Sequence, residues 1–204
     1  MRLAHIGFLL IVCCLFVISA QAQTISSVST RWNDSFVEWE IYATMPPDTT
    51  ETDDPDADSE TPEEELYGEL KLRWLNVRND FSEWDYELGD ERGTIRQKWK
   101  DDLSQWELRS YTGNIISIRT MWANDLTEWR VTDNSVTLNL KSRWKNQLDE
   151  WLVDDATRGK FYLYTFAQND PRDWAIEDNL DESVSQSMKL ALIFLTVFVT
   201  SPKE

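Results

Sequence analysis

The side chains of this sequence that could carry out chemistry are carboxylates and tryptophans. The chain has 37 acidic residues and 11 tryptophans, whereas His5, Cys13 and Cys14, its only histidine and cysteines, lie within the first 22 residues. Because those residues resemble a cleavable secretory signal, we expect the mature chain to have no imidazole and no thiol. This excludes Ser-His-Asp and Cys-His catalysis, imidazole or thiolate zinc sites, and a disulfide framework.

Carboxylates alone would permit glycoside hydrolysis, which uses two acidic side chains several ångströms apart. With 37 acids in the chain, such a pair arises by chance, and no pair stands out. An active site is one asymmetric group of residues, whereas the acidic positions of this chain recur from unit to unit of a repeat. We therefore predict a protein that is not an enzyme and has no cofactor.

The tryptophans occur in pairs that follow the template W-x-[DN]-[DSQ]-[LF]-x-[EQ]-W, with a period of 22 to 23 residues. A fixed period of this size is typical of an array in which one unit cannot bury its apolar face without its neighbours. One interval, from Trp39 to Trp84, has twice the unit length. The first members of the pairs are Trp32, Trp74, Trp99, Trp122 and Trp144, with Phe166 in the sixth place, and the second members are Trp39, Trp84, Trp106, Trp129, Trp151 and Trp174.

The segments that flank each pair alternate between apolar and polar residues, as half-buried strands do. Val136, Leu138, Leu140 and Trp144 share one parity, and turn-forming residues separate the units, for example at Gly89. We predict an all-β fold, an antiparallel meander of about six tryptophan-paired hairpins with the tryptophan side inward. The pattern leaves open whether the sheet is elongated or curled into a barrel.

An amphipathic helix is the competing interpretation, because Ile95, Trp99, Leu103 and Trp106 have the spacing of a helical stripe. The β-branched and aromatic runs IISIRT, VTLNL and KFYLYTF favour strands instead. Between the tryptophans, Asp102 is followed three residues later by Gln105 in the manner of a capping box. This spacing predicts one helical turn between the two strands of a unit.

The tryptophans have two possible roles. As large apolar side chains they would form the core of the repeat, with both members of each pair buried, and this is our main interpretation. Alternatively, indole faces could stack on sugar rings while neighbouring carboxylates bind the hydroxyls. The Asn-Asp loops lack the spacing and glycine of a calcium loop, so we predict no metal site. The candidate ligand-stacking residues are Trp99, Trp106, Trp122, Trp129, Trp144 and Trp151.

Composition divides the chain into five parts. Residues 1–22 resemble a signal peptide, with Arg2, an apolar run and a small-residue cleavage site; a retained anchor is the alternative, although the run is short for a membrane span. Residues 23–44 form the first hairpin repeat. Residues 45–65, with ten acids, four prolines and no Lys or Arg, form a disordered acidic insertion. Residues 66–182 hold five further repeats, and residues 183–204 form a hydrophobic C-terminal segment.

The apolar stretch from Leu190 to Val199 is too short to span a bilayer as a helix. We expect it to form a strand or short helix that caps the array, covering its apolar face or an open end; docking to a membrane or a partner is the alternative.

The formal net charge of −17 excludes a nucleic-acid partner, because binding to phosphates needs a concentrated positive field. The sequence thus predicts an exported protein, periplasmic, cell-surface or extracellular, with a structural or protein-interaction role. A carbohydrate-binding module is the alternative, so the partner is a protein or a glycan.

Overall fold

The computed structural model describes residues 24–44, 63–77 and 80–203, which form twelve antiparallel strands and one helix. The expected signal segment and most of the acidic insertion lie outside the described residues, and β3 begins at Glu64, within the range expected for the insertion. The elements are β1 (Thr24–Trp32), β2 (Ser35–Thr44), β3 (Glu64–Leu72), β4 (Glu83–Leu88), β5 (Glu91–Gln97), β6 (Gln105–Ser110), β7 (Ile115–Thr120), β8 (Glu128–Thr132), β9 (Thr137–Trp144), β10 (Gln147–Asp155), β11 (Gly159–Thr165), β12 (Asp173–Leu180) and α1 (Gln186–Thr200).

The sheet closes into a barrel. Every strand pairs with its neighbours in the chain, and β1 pairs with β12, where Val28 lies opposite Trp174. This confirms the antiparallel meander. The sequence left open an elongated sheet or one curled into a barrel, and the described sheet is a closed barrel with no free edge. The helical interpretation of the repeats is wrong, because Ile95 and Trp106 lie on adjacent paired strands, β5 and β6.

Alternate residues of each strand face the interior. In β6, Trp106 and Leu108 are fully buried while the alternating residues Glu107 and Arg109 face outward, and β4 and β8 show the same alternation. Because side chains alternate across a strand, the period-two pattern in the sequence places one apolar row per strand inside the barrel. The interior-facing residues form one continuous hydrophobic cluster.

Helix α1 occupies the interior of the barrel. Its residues from Met188 to Phe198 are buried on all sides except for the partly exposed Lys189, and Phe194 contacts the indoles of Trp84 and Trp106 edge-on. An eight-stranded barrel can be filled by side chains alone, whereas twelve strands enclose a wider space. A helix that is hydrophobic all round is the element suited to fill that space. The stretch Leu190–Val199, expected to cover a face or an open end, lies within this central helix.

Polar contacts hold the helix ends in place. Ser185 caps the first turn by accepting from the Met188 N–H at 3.3 Å. The Lys189 ammonium donates to Asp178 on β12 at 2.5 Å, and both side chains are largely buried. At the other end, the Lys203 Nζ lies 4.1 Å from the ring centroid of Phe198, and burial lowers the pKa of Lys203 to about 8.

The meander gives the barrel two chemically different ends. The turns within the six hairpins, β1–β2 through β11–β12, all lie at one end, which we call the tryptophan rim. The turns between hairpins that the structure describes, from β4–β5 to β10–β11, lie at the other end, the far rim. Helix α1 follows β12, so it enters at the far rim and ends at the tryptophan rim, where Lys203 lies 5.7 Å from the Phe81 ring centroid.

Candidate functional site: the tryptophan rim

The six candidate stacking residues separate into two sets. Trp106, Trp129 and Trp151 point into the barrel and are fully buried, so no ligand in solution reaches them. Trp99, Trp122 and Trp144 lie at the tryptophan rim and are 50 to 62% exposed. The first two units show the same division, because Trp32 and Trp74 are exposed whereas Trp39 and Trp84 are buried.

This corrects the expectation that both members of each pair form the core. In the third unit, β5 ends at Gln97, and the chain bends away before Trp99. Asp101 then takes a left-handed backbone conformation, as Asn124 does in the fourth unit. In the first unit, the pairing of β1 with β2 shifts between Thr30 and Trp32, and the strand end is exposed. The alternation within a strand therefore does not continue to the first tryptophan.

The second tryptophan of each unit is fixed by a hydrogen bond that the sequence template encodes. Its indole N–H donates to the backbone carbonyl three residues earlier, which satisfies a donor that would otherwise be buried without a partner. That carbonyl belongs to the [LF] position of the template, which Pro171 occupies in the sixth unit. The six bonds run from Trp39 to Phe36 (3.1 Å), Trp84 to Phe81 (3.1 Å), Trp106 to Leu103 (2.9 Å), Trp129 to Leu126 (2.7 Å), Trp151 to Leu148 (2.9 Å) and Trp174 to Pro171 (2.9 Å).

The template aspartate closes the turn. The Asp125 carboxylate accepts from the backbone N–H of Thr127 at 2.8 Å and from its hydroxyl at 2.5 Å, and Asp102 accepts from the Ser104 N–H at 2.9 Å. Hydrogen bonds from the hydroxyl and then from the backbone N–H lower the pKa of both carboxyl groups. Because the acceptor lies two residues before the donor, these are Asx turns, and the predicted capping-box helical turn is wrong.

The template glutamate holds the exposed indole. The Nε1 of Trp122 donates to Glu128 at 2.8 Å, that of Trp74 to Glu83 at 3.2 Å, and that of Trp144 to Glu150 at 3.4 Å. Arginine side chains lie over two of the exposed indole rings. The guanidinium carbon of Arg143 is 5.2 Å from the ring centroid of Trp144, and that of Arg31 is 5.9 Å from the ring centroid of Trp32. Neighbouring side chains therefore orient four of the five exposed indoles, those of Trp32, Trp74, Trp122 and Trp144.

The sixth unit departs from the others. We assigned Phe166 to the first-tryptophan place, but the turn contact shows that Ala167 occupies it. Asp170 N–H donates to the Ala167 carbonyl at 3.1 Å, just as Asp102 N–H donates to that of Trp99 at 3.2 Å. Phe166 lies one residue earlier and is 68% exposed. The ring of rim indoles is thus interrupted beside β11 and β12.

Exposed apolar side chains are concentrated at this rim. Of the twelve large hydrophobic residues that are exposed in the described ranges, seven lie in its turns and two, Trp32 and Trp144, are the last residues of the strands that lead into them. Soluble proteins seldom leave contiguous apolar surface uncovered without a binding role. The nine are Trp32, Trp74, Leu75, Val77, Trp99, Leu103, Trp122, Trp144 and Phe166.

The residues that sequence reasoning missed lie on the outer wall of the barrel next to the interrupted part of the ring. Tyr162, Tyr164 and Glu177 there border an open cavity of about 350 Å³ together with Trp144. The signal was present in KFYLYTF, whose two tyrosines have the parity opposite to Phe161 and Leu163 and therefore face outward. In the sequence alone, this run indicates only a strand.

A charged network stabilises one edge of that cavity. The Glu150 carboxylate accepts from the Tyr162 hydroxyl and, at 2.7 Å, from Arg143. The Tyr162 hydrogen bond, followed by those of Arg143 and Trp144, lowers the pKa of Glu150 against the opposing effect of its desolvation. Burial, then the hydrogen bond to Glu150, raises the pKa of Tyr162. Glu150 is therefore an ionised acceptor that fixes three side chains.

No group of three or more His, Cys, Asp or Glu side chains in residues 24–44, 63–77 and 80–203 is arranged to hold a metal ion. In the same residues, no helix has the length and apolar character needed to cross a membrane. Comparison of the chain with protein-family models, curated proteins and solved structures finds no match to any of them.

Proposed function

We propose that this chain is an exported, non-catalytic protein that binds another protein through its tryptophan rim. The observation that carries the proposal is the division of each tryptophan pair. One member forms the core with α1, while the other, 44 to 62% exposed, is held at the same end of the barrel in five of the six units. The exposed members make no contribution to the interior, so their repetition calls for another role.

The composition and order of the rim support a protein partner. Tryptophan and arginine are the residues most enriched among those that dominate protein–protein binding energy, and the rim combines them at Trp32 with Arg31 and at Trp144 with Arg143. The hydrogen bonds to Glu83, Glu128 and Glu150 orient the indoles in advance. Orientation in advance lowers the conformational entropy lost on binding.

The same carboxylates argue against insertion of the rim into a lipid bilayer. Glu128 lies 2.8 Å from the Trp122 nitrogen, so burying this indole among lipids would also remove water from a charged group. A protein surface can supply donors to such a carboxylate, whereas lipid chains cannot. The rim turns also contain Asp102 and Asp125, whose lowered pKa values favour the ionised form.

The non-catalytic role and export are supported by the repeat arrangement and by the N-terminal sequence. The non-catalytic role is supported by the repetition of the same Asp, Glu and Trp positions around the rim, because an active site needs one asymmetric arrangement. Export is supported by the signal-like residues 1–22. The first strand begins at Thr24, next to the mature N-terminus expected near Gln23, so cleavage there would leave the barrel intact.

The test compares two positions that are both exposed. A photo-crosslinking amino acid at position 122 is expected to capture a partner from the extracellular fraction, whereas the same group at position 111 is not, because Tyr111 lies at the far rim and is 73% exposed. With the captured partner purified, the variant Trp99→Ser/Trp122→Ser should bind at least about 30-fold more weakly, the loss expected when about 2 kcal/mol of contact is removed.

Tyr111→Ser is the matched control and should bind like the unaltered protein. Both variants should keep the thermal stability of the parent chain, because none of the three side chains belongs to the core. Equal affinity of the rim variant and the parent, or capture from position 111 alone, would refute the proposal.

A further inference from the structure

A groove crosses the outer wall of the barrel over β9 to β12, below the tryptophan rim. Its larger part, about 350 Å³, lies between Trp144 and the tyrosines of β11. A second depression of about 210 Å³ adjoins it and shares Tyr162 and Glu177 with it. The two parts together form an elongated concave surface that has no counterpart in the repeat template, since it depends on Tyr162 and Tyr164, which occur only in the sixth unit.

Aromatic faces form one side of this groove. Tyr162 and Tyr164 are two residues apart on the outward face of β11, with ring centroids 5.2 Å apart and planes inclined by 34°. Trp144 stands at the end of β9, its indole N–H turned toward Glu150 at 3.4 Å. Glu150, bound to Arg143 and Tyr162 as well, acts as the support of these rings and is already saturated with partners.

Polar side chains with unused hydrogen-bonding capacity form the other side. Within the described residues, the Glu177 carboxylate and the side-chain amides of Gln147 and Gln168 border the cavity without a hydrogen bond or ion pair to another side chain. A carboxylate accepts hydrogen bonds through both of its oxygens, and each amide both donates and accepts. The set matches vicinal hydroxyl groups, which also both donate and accept.

We propose that this groove binds an oligosaccharide of neutral or amino-bearing pyranose units. The apolar faces of successive rings lie on Trp144 and Tyr164, and Glu177 accepts hydrogen bonds from their hydroxyl or ammonium groups. Two adjoining depressions fit a ligand of more than one ring. The larger depression is bordered by Asp149, Glu150 and Glu177 and by no Lys or Arg, so it disfavours sulfated or carboxylated sugars. The smaller depression contains Arg143 and Lys160, but each is paired with a carboxylate, Arg143 with Glu150 at 2.7 Å and Lys160 with Asp154 at 3.7 Å.

This inference stands apart from the proposed protein contact, because the groove lies on the wall of the barrel and the rim need not be occupied for a glycan to bind. Trp144 belongs to both surfaces, together with Arg143 and Glu150, which contact it at the rim and also line the groove. The test therefore leaves Trp144 unaltered and uses variants that affect one surface only.

The experiment measures binding of the purified protein to cellohexaose, chitohexaose, a fully deacetylated chitosan hexamer and a heparin-derived hexasaccharide by isothermal titration calorimetry. At least one of the first three is expected to bind, and the heparin fragment is not. Tyr164→Ala and Glu177→Gln should each weaken that binding by about tenfold or more, the factor that corresponds to about 1.4 kcal/mol. Glu177→Gln keeps the shape of the side chain and guards against loss of fold in the tyrosine variant.

Two controls separate this result from the rim. Tyr111→Ala, at the far rim, and Trp99→Ser/Trp122→Ser should both bind the oligosaccharide like the parent protein. Absence of binding by all three neutral or amino oligosaccharides at millimolar concentration would overturn the proposal. So would preferred binding of the heparin fragment, or affinity that neither Tyr164→Ala nor Glu177→Gln changes.

Discussion

Replacing Phe194 by alanine should be among the most damaging single substitutions in the protein. The Phe194 side chain is fully buried in the centre of α1, and its ring centroid lies 5.0 Å from that of Trp106, 5.4 Å from Phe198 and 5.9 Å from Trp84. The surrounding barrel is closed by hydrogen bonds on every strand and cannot collapse freely into the space left. The substitution therefore creates a cavity rather than a local rearrangement.

The magnitude follows from measured core truncations. Phe→Ala at a buried site costs about 3 to 5 kcal/mol, and the loss of the edge-on aromatic contacts places Phe194 toward the upper part of that range. A domain of 150 to 250 residues loses about 2 to 4 °C of melting temperature per kcal/mol, so a decrease of roughly 6 to 20 °C is expected. Urea unfolding followed by tryptophan fluorescence gives the free energy directly.

Phe166→Ala is the matched control, because it removes the same atoms from a side chain that is 68% exposed. Its effect should stay within about 0.5 kcal/mol, as is usual for surface substitutions. If Phe194→Ala cost less than about 1 kcal/mol, or no more than Phe166→Ala, the placement of α1 in the interior would be refuted.

Three further predictions concern burial and charge. Lys189→Met should lower the free energy of unfolding by about 3 to 5 kcal/mol, because it leaves the buried Asp178 carboxylate without its ion-pair partner. Asp178→Leu/Lys189→Met should recover most of this loss in urea unfolding. Equal stability of the single variant and the parent would contradict the buried ion pair. The pKa of Asp125 is lowered in the folded state, so its stabilising contribution is present above the unfolded value near 4 and is lost as the pH falls below it. Asp125→Asn should therefore reduce the loss of stability between pH 5 and pH 3, and an unchanged pH dependence would count against the Asx turn. Acrylamide should quench about five of the eleven tryptophans readily and the rest poorly, whereas uniform quenching would contradict the division; the accessible five are Trp32, Trp74, Trp99, Trp122 and Trp144.

The repeat and its strands could be predicted because they depend on local pattern. The 22-to-23-residue period and the parity of residues such as Leu138, Leu140 and Trp106 report directly on which side of a strand is buried. Each strand contributes one row of alternating apolar residues, so the number and order of the strands can be counted from these rows in the sequence. The antiparallel meander needs no information from distant parts of the chain.

Closure and the position of α1 could not be derived in this way. Pairing of Val28 with Trp174 joins strands at opposite ends of the repeat, and no local pattern encodes it. The all-round hydrophobicity of the stretch Leu190–Val199 did indicate burial, but deciding what buried it required knowing that twelve strands enclose a wide interior. A segment that covers the outside of a hairpin array and a helix that fills a barrel have the same hydrophobic composition, so composition does not distinguish them.

The candidate site was only half predictable. Trp99 and Ile95 share a parity, but parity applies only while the strand continues, and the strand ends at Gln97. The outward turn depends on the left-handed conformation of Asp101, which the sequence permits at many Asn and Asp positions. The wall groove, in turn, combines Trp144 at the end of β9 with Tyr164 on β11 and Glu177 on β12, and β9 is separated from β11 by β10 in the folded sheet.

The position of α1 also constrains how the molecule can fold. Helix α1 follows all twelve strands along the chain, yet the barrel cannot acquire a dry centre without it. During synthesis, the hairpins emerge first and can form only loosely packed ribbons, since the contacts that reward closure are non-local and come last. Commitment to the native state is therefore delayed until translation has passed Phe198, and a polypeptide interrupted before that point would resemble a collapsed, fluctuating sheet rather than a shortened barrel.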